Sequence, residues 1–125
     1  MSIQHIQQTR ELADLDDLGP VPVPLSEPAC RLRGRKVAVA GTAADTGVWE
    51  CSPGKFRRQV QAGEVMHILE GECTFTPDGQ APIAIRAGDT IFMPPMTTGV
   101  WDVRRTVRKV YVLVPPAGQA PGQAG

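Results

Sequence analysis

Short apolar runs separated by turn residues recur along most of this chain, and they constrain its fold more than any other feature. Twelve prolines and thirteen glycines among 125 residues favour short strands joined by turns over long helices. Clear turn signals lie at residues 77–80 and 86–89, between segments rich in β-branched and aromatic side chains. Regularly spaced short strands predict an all-β sandwich or barrel, and the length suits a single domain with its own core.

The same pattern divides the chain into three parts. Residues 1–35 carry a proline-rich stretch that must be extended, so we interpret them as an N-terminal arm over the barrel or over a partner subunit, or alternatively as a partly ordered tail. Residues 36–114 form the predicted barrel, and residues 115–125 have the composition of a disordered tail. The predicted strands span residues 36–40, 48–51, 56–61, 64–71, 72–76, 82–85, 90–93, 100–103 and 107–114.

The segment 64–71 places an acidic residue at the head of a strand that should be buried. Alternation along a strand puts Glu64, Met66 and Ile68 on one face and His67 on the other. A buried carboxylate is costly unless it is paired or ligated. Glu64 therefore needs a metal, a ligand or an internal partner, and the segment alone leaves these alternatives open.

Charge and composition limit the classes of partner. Thirteen basic and thirteen acidic residues cancel, which argues against a general nucleic-acid or anionic-membrane surface. No signal peptide pattern is visible, and the longest strongly apolar run, residues 110–114, is too short to cross a bilayer. The three cysteines form no C-x-x-C pair, which suits free thiols. We expect a cytoplasmic protein that binds neither nucleic acid nor membrane.

Two spacings resemble the conserved motifs of the cupin superfamily. Glu64 stands at the E-x6-G interval before Gly71, and Gly88 stands at the G-x5-P interval before Pro94. Segments 47–54, 99–101 and 108–111 resemble, more narrowly, small cupins related to ureidoglycine aminohydrolase. This resemblance implies a double-stranded β-helix, the cupin jelly-roll barrel, with a pocket at one end and usually a homodimeric assembly.

The resemblance also implies where a metal would be held, and this sequence lacks the ligands there. With the shorter of the two permitted spacings, the family's ligand positions fall on Arg58, Val60, Glu64 and Gly99. Only the glutamate could ligate a cation, because an arginine has no lone pair to give. His67 should face away from Glu64, as a packed or interface residue. We therefore expect neither a metal at the usual site nor another cofactor.

The inward face suggests what the pocket contains instead. We predict that Arg58 pairs with Glu64 and replaces the missing metal charge, the alternative being a surface arginine and a rim glutamate. Two tryptophans could cover a planar or apolar ligand or only fill the barrel. Lys109 and Tyr111 share a face on the last strand. The candidate ligand-binding residues are Trp49, Arg58, Glu64, Met66, Met93, Trp101, Lys109 and Tyr111.

Three functions are compatible with these residues. The first is metal-independent binding of a small polar or carboxylate metabolite. The second is a cupin enzyme, a hydrolase or isomerase like ureidoglycine aminohydrolase, in which Tyr, Lys and Glu perform acid–base chemistry. The third is a structural dimer with a filled barrel. Cys51 could be a nucleophile, but no histidine base is evident, and a small buried hydrophobe is the commoner role of such a residue.

Overall fold

Eight antiparallel strands form the fold in the computed structural model, which describes residues 3–117. A single 3-10 turn at Thr9–Glu11 precedes them. The strands are β1 (Asp16–Pro20), β2 (Arg31–Lys36), β3 (Thr46–Cys51), β4 (Gly54–Arg57), β5 (Gly63–Pro77), β6 (Ile83–Arg86), β7 (Thr90–Met93) and β8 (Gly99–Val114). The predicted all-β fold is confirmed.

Two long strands, β5 and β8, pair along their length, and four shorter strands pair with them. The N-terminal half of β5 pairs with β7 and its C-terminal half with β6, while β8 pairs with β4 and then with β3. The pairing of β5 with β8 shifts register between Ile68 and Cys73. Gly71 lies inside this irregular segment with a φ of 98°, a conformation that favours glycine. The bend lets both halves of each long strand contribute to one core.

Several strand boundaries predicted from the sequence are wrong. The predicted strand at residues 36–40 is wrong, since β2 covers Arg31–Lys36 and pairs with β1 and β3. Its side chains are mostly charged and exposed, so it lacks an apolar alternation. The predicted strands 64–71 and 72–76 are one strand, β5, with a bulge near Gly71, and the last two predicted strands are one continuous β8. Strand β4 ends at Arg57, four residues before the predicted end.

The N-terminal segment packs against the outer face of its own sheet. The guanidinium of Arg108 donates to the carbonyls of Thr9, Arg10 and Leu12 and also pairs with Glu50, 2.7 Å away. Strands β1 and β2 then extend the sheet beyond β3. The boundary at residue 35 stays a prediction. Of the predicted disordered tail, residues 118–125 lie outside the described residues.

The hydrophobic core fills one end of the barrel. It combines side chains from both halves of the bent sheet, including Met66, Ile68, Phe75 and Trp101. The three cysteines are free and buried. No helix within residues 3–117 has the length and apolar character needed to cross a membrane. The opposite end of the barrel, beside the N-terminal residues of β5, is open and holds the cavity described next.

Candidate functional site

A cavity of about 280 Å³ lies at the open end of the barrel. Below it, the space between the two tryptophans and the core shrinks to about 10 Å³. Met66 borders only this lower space, and Met93 packs in the core without lining either volume. The predicted site residues that line the larger cavity are Trp49, Arg58, Glu64, Trp101, Lys109 and Tyr111.

Lys109 is the nearest cation to Glu64. The Nζ atom of Lys109 lies 2.6 Å from Oε2 of Glu64, and both side chains are more than 90% buried. On β5 the residue opposite Lys109 is Ile68, so the long side chain runs along the interior past the sulfur of Met66, 3.8 Å from Nζ. A hydrogen-bonded partner of opposite charge is what a buried ammonium requires.

Two tryptophan rings enclose the same ammonium. Nζ of Lys109 lies 4.3 Å from the ring centroid of Trp49 and 5.7 Å from that of Trp101. Ring faces carry partial negative charge and attract a cation at these distances. Trp49 is the cross-strand neighbour of Lys109, whereas Trp101 comes from the opposite half of β8. The cation is therefore held from both halves of the bent sheet.

Arg58 forms the predicted pair with Glu64, but at longer range. Its Nη2 atom lies 3.6 Å from Oε1 of Glu64. The guanidinium donates mainly to main-chain carbonyls of Val60, Ala62 and Thr97, which belong to the two loops beside the cavity. Burial lowers the pKa of Arg58, and the nearby Glu64 carboxylate partly opposes that shift. Arg58 is thus the second cation of the site, and Lys109 is the closer partner of Glu64.

Three buried charged side chains, Arg58, Glu64 and Lys109, form the floor of the cavity, and their charges do not balance. Arg58 and Lys109 share the single carboxylate of Glu64, and all three side chains are at least 90% buried. At the rim, charges of opposite sign pair with each other: Lys36 lies 3.5 Å from Asp45, and Arg57 lies 2.7 Å from Asp78. The floor therefore carries one positive charge more than it carries negative charge.

The donor set does not fit the metal that the resemblance to cupins implies. Of the positions mapped onto family ligands, Arg58, Val60 and Gly99 offer no side-chain lone pair. A Cβ at Gly99 would lie 2.7 Å from the ring of Phe75 and closer still to the backbone of Thr76, so a histidine has no room there. Within residues 3–117, no group of three histidine, cysteine, aspartate or glutamate side chains is placed to hold a metal ion.

His67 faces away from the cavity, as the alternation predicted. It is exposed, and its Nδ1 atom lies 2.7 Å from the hydroxyl oxygen of Thr90 on the neighbouring strand β7.

Cys51 lies in the core, where burial raises the pKa of its thiol far above the ordinary value, with Cys30 as a neighbour. A protonated, enclosed thiol behaves as a small hydrophobe, which favours the structural role expected for Cys51.

Asp45 and Tyr111 complete the polar part of the lining. Burial raises the pKa of Tyr111, and the carboxylates of Asp45 and Glu64 raise it further, so the phenol remains protonated. Asp45 was missed because residues 41–47 read as a loop. The available signal was its parity: Asp45 directly precedes β3 and continues the odd-numbered face on which Trp49 lies, and both line the cavity.

Comparisons with known proteins agree with this architecture. Residues 40–111 match the family model of the EutQ-like cupin domain. A protein of unknown function from Pseudomonas syringae pv. tomato, of the DUF861 family, is 23% identical with a TM-score of 0.72. The match covers 82% of this chain but only 45% of that protein, so this chain spans less than half of its length. No curated protein sequence matches the chain.

Two further structures resemble the chain. A putative ethanolamine utilization protein Q from Salmonella typhimurium LT2 is 23% identical, with a TM-score of 0.58 and 70% of each chain covered. A DUF861 family protein from Thermotoga maritima is 30% identical, with a TM-score of 0.51, over 53% of this chain and 75% of that protein. The family match, with the strand pairing above, identifies the barrel as a cupin jelly roll. Because the family match spans more than half of its residues, the chain belongs to the EutQ-like cupin domain family.

Proposed function

We propose that the cavity binds a small metabolite through its carboxylate and that protein cations, not a metal, supply the positive charge. The observation that carries this proposal is the surplus cation at the floor, where Arg58 and Lys109 share Glu64 alone. An anion that enters the cavity would bring the buried charges to balance. Charge-assisted hydrogen bonds to a carboxylate are among the stronger polar contacts in proteins.

Lys109 is the group best placed to meet the ligand. An ammonium has three donors, and the contact with Glu64 engages one of them. The flanking rings of Trp49 and Trp101 would pack against the carbon skeleton of the ligand. A volume of about 280 Å³ limits that skeleton to a small molecule.

Titration calorimetry with size-matched pairs of compounds tests the proposal. Short-chain carboxylates should bind, and the corresponding primary amides should bind about tenfold more weakly or worse, since the amide lacks the charge. Lys109→Gln should abolish the difference between acid and amide. Lys36→Gln is the matched control, because Lys36 lines the rim with 79% of its side chain exposed, and it should retain the difference.

The proposal is wrong if amides bind as tightly as acids, or if the preference for acids survives in a folded Lys109→Gln protein. Tryptophan fluorescence and circular dichroism establish that the variant is folded. Arg58→Gln provides a second test, since it removes the other cation of the floor. Equal affinities of wild type and both variants for the acids would assign binding elsewhere.

Acid–base catalysis is the second candidate, and the 2.6 Å contact between Lys109 and Glu64 favours it. A carboxylate, an amine and the Tyr111 phenol around one cavity could transfer protons in a hydrolase or isomerase, including one like ureidoglycine aminohydrolase. Turnover of ureido or amide compounds that is lost in a folded Glu64→Gln protein would establish an enzyme. Carboxylate binding without turnover of any of them would favour the binding protein.

We further propose a homodimer in the cytoplasm, as the resemblance and the cysteine pattern suggested. The filled lower half of the barrel, with about 10 Å³ of free space, supports a partly structural role. Light scattering coupled to size-exclusion chromatography measures the assembly. A monomer across a wide range of protein concentrations would exclude the dimer.

A further inference from the structure

The cavity has a negative side facing its positive floor. Asp45 lines it, and the Oδ1 atom of Asp45 is buried without accepting a hydrogen bond from any of residues 3–117. Its nearest cation is Nζ of Lys36, 3.5 Å away on a side chain that is 79% exposed. Such an exposed, long contact contributes little free energy, whereas an unsatisfied buried oxygen is costly.

The two acids of the cavity lie at one level of the barrel. The main-chain N–H of Leu113 donates to the carbonyl of Asp45, and Leu113 pairs with Glu64 on the other side. Asp45 and Glu64 therefore flank one residue of β8, with Cα atoms about two strand spacings, roughly 9.6 Å, apart. Two residues further along these strands, Tyr111 pairs with Gly47, and Tyr111 lines the cavity.

We propose that the ligand is an amino carboxylate whose carboxylate meets Lys109 and whose ammonium meets Asp45. This inference rests on the proposed function and adds the second recognition group. An ammonium would satisfy Oδ1 of Asp45 and displace Lys36 toward solvent at small cost, because that lysine is already exposed. A ligand with a carboxylate alone would balance the charges of Arg58, Lys109 and Glu64 but leave the Asp45 oxygen without a hydrogen-bond donor.

The charged groups that face the cavity agree with this orientation. Arg58 and Lys109 lie at the floor with Glu64, and Arg57 at the rim is engaged by Asp78. Asp45 is thus the lining carboxylate whose cation, the exposed Lys36, lies 3.5 Å away and makes no hydrogen bond to it. The spacing between the Cα atoms of Asp45 and Glu64, two strand spacings, leaves room for a short aliphatic chain on the order of three to six carbons between the carboxylate and the ammonium of the ligand.

Calorimetry with three matched series of probes tests this assignment. The probes are unbranched carboxylates from propionate to hexanoate, their ω-amino derivatives and the corresponding alkylamines. At one or more chain lengths the amino acid should bind about tenfold more tightly than the simple acid, and the amines should not bind measurably. Asp45→Asn should remove this advantage and leave the affinity for simple acids unchanged or improved.

Asp14→Asn is the matched control, since Asp14 is 86% exposed and its contact is with Arg35 on the outer strand β2. It should keep the full preference for amino acids. Asp45→Ala offers a second variant: Oδ1 is buried but 40% of the side chain is exposed, so the fold should persist. The inference is overturned if simple and amino acids bind equally at every length, or if the preference survives in both Asp45 variants. If neither series binds the wild type, the proposed function itself fails, whereas binding of simple acids alone refutes only the amino group.

Discussion

Neutralising Glu64 should destabilise this barrel more than removing either of its cations. The Glu64 carboxylate lies 2.6 Å from the Lys109 ammonium and 3.6 Å from the Arg58 guanidinium, with every side chain at least 90% buried. Glu64→Gln would leave two positive charges in the interior with no counterion. Breaking a buried pair by removing one partner costs about 3–5 kcal/mol. Because Glu64→Gln leaves two cations without a counterion, we expect its loss of stability toward the upper end of that range.

Lys109→Met should cost less, because the remaining carboxylate keeps Arg58 as a partner. A net loss of about 2 kcal/mol is expected, the range for a hydrogen bond to a charged group. Methionine also occupies most of the volume between Trp49 and Trp101 and so limits the cavity left behind. The double variant should lose about 1–3 kcal/mol less than the sum of the single losses, since residues in one buried pair are coupled.

Urea unfolding followed by tryptophan fluorescence measures all four proteins, because Trp49 and Trp101 border the pair. Glu72→Gln is the control. Glu72 pairs with Arg105 at 2.8 Å on the same two strands, but these side chains are 41% and 77% exposed, so its loss should stay within about 0.5 kcal/mol. The reasoning fails if Glu64→Gln costs no more than Glu72→Gln, if Lys109→Met costs more than Glu64→Gln, or if the two changes are additive.

Three further expectations concern other parts of the molecule. Gly71→Ala should destabilise the protein by about 3 kcal/mol in urea unfolding, since φ is +98° and an added Cβ would collide with backbone. Gly79→Ala should cost only about 1 kcal/mol, since φ is +74° but the space around it is open. Equal losses would contradict the role of the bulge. Burial raises the pKa of the Cys73 thiol to about 11, so near neutral pH iodoacetamide should label it far more slowly in the native than in the unfolded protein, and equal rates would refute its enclosure. The hydrogen bond from Arg57 lowers the pKa of Asp78 below its ordinary 3.8. The pair therefore contributes to stability above the pKa of Asp78 in the unfolded chain, and this contribution is lost as the pH falls through the lower pKa of the folded protein. Arg57→Gln should return the Asp78 pKa toward 3.8 in an NMR titration, and an unchanged pKa would exclude the pair.

Strand alternation predicted the inner face of β5 well, and the reason is local. Glu64, Met66 and Ile68 are all buried, while His67 between them is exposed. Side-chain direction along a strand has a period of two residues, so this assignment needs no knowledge of other strands. The same argument placed Lys109 and Tyr111 on one face, and the structure brings both to the cavity.

Alternation could not indicate which cation reaches Glu64. On β5 the cross-strand partner of Lys109 is Ile68, and contact with the acid depends on the length and path of the lysine side chain along the interior. The guanidinium of Arg58 is likewise engaged by loop carbonyls, which depend on how the chain turns after β4. Strand β2 was not predicted because it lacks the apolar alternation that indicates a strand. Its charged side chains instead pair with charges on the neighbouring strand, as Arg33 does with Glu50.

The absence of a side chain at Gly99 and the presence of the Lys109 ammonium belong to one packing arrangement. Because residue 99 has no Cβ, the ring of Phe75 fills the space where the family's histidine would project, and it packs on Trp101 with centroids 4.6 Å apart. Trp101 in turn lies within 5.7 Å of the Lys109 ammonium, which also contacts the ring of Trp49. A tethered ammonium supplies charge and hydrogen-bond donors, but it has no exchangeable coordination positions with which to activate a bound oxygen. The chemistry of these residues therefore favours recognition of an anion over metal-type activation, and it ties that recognition to the aromatic core.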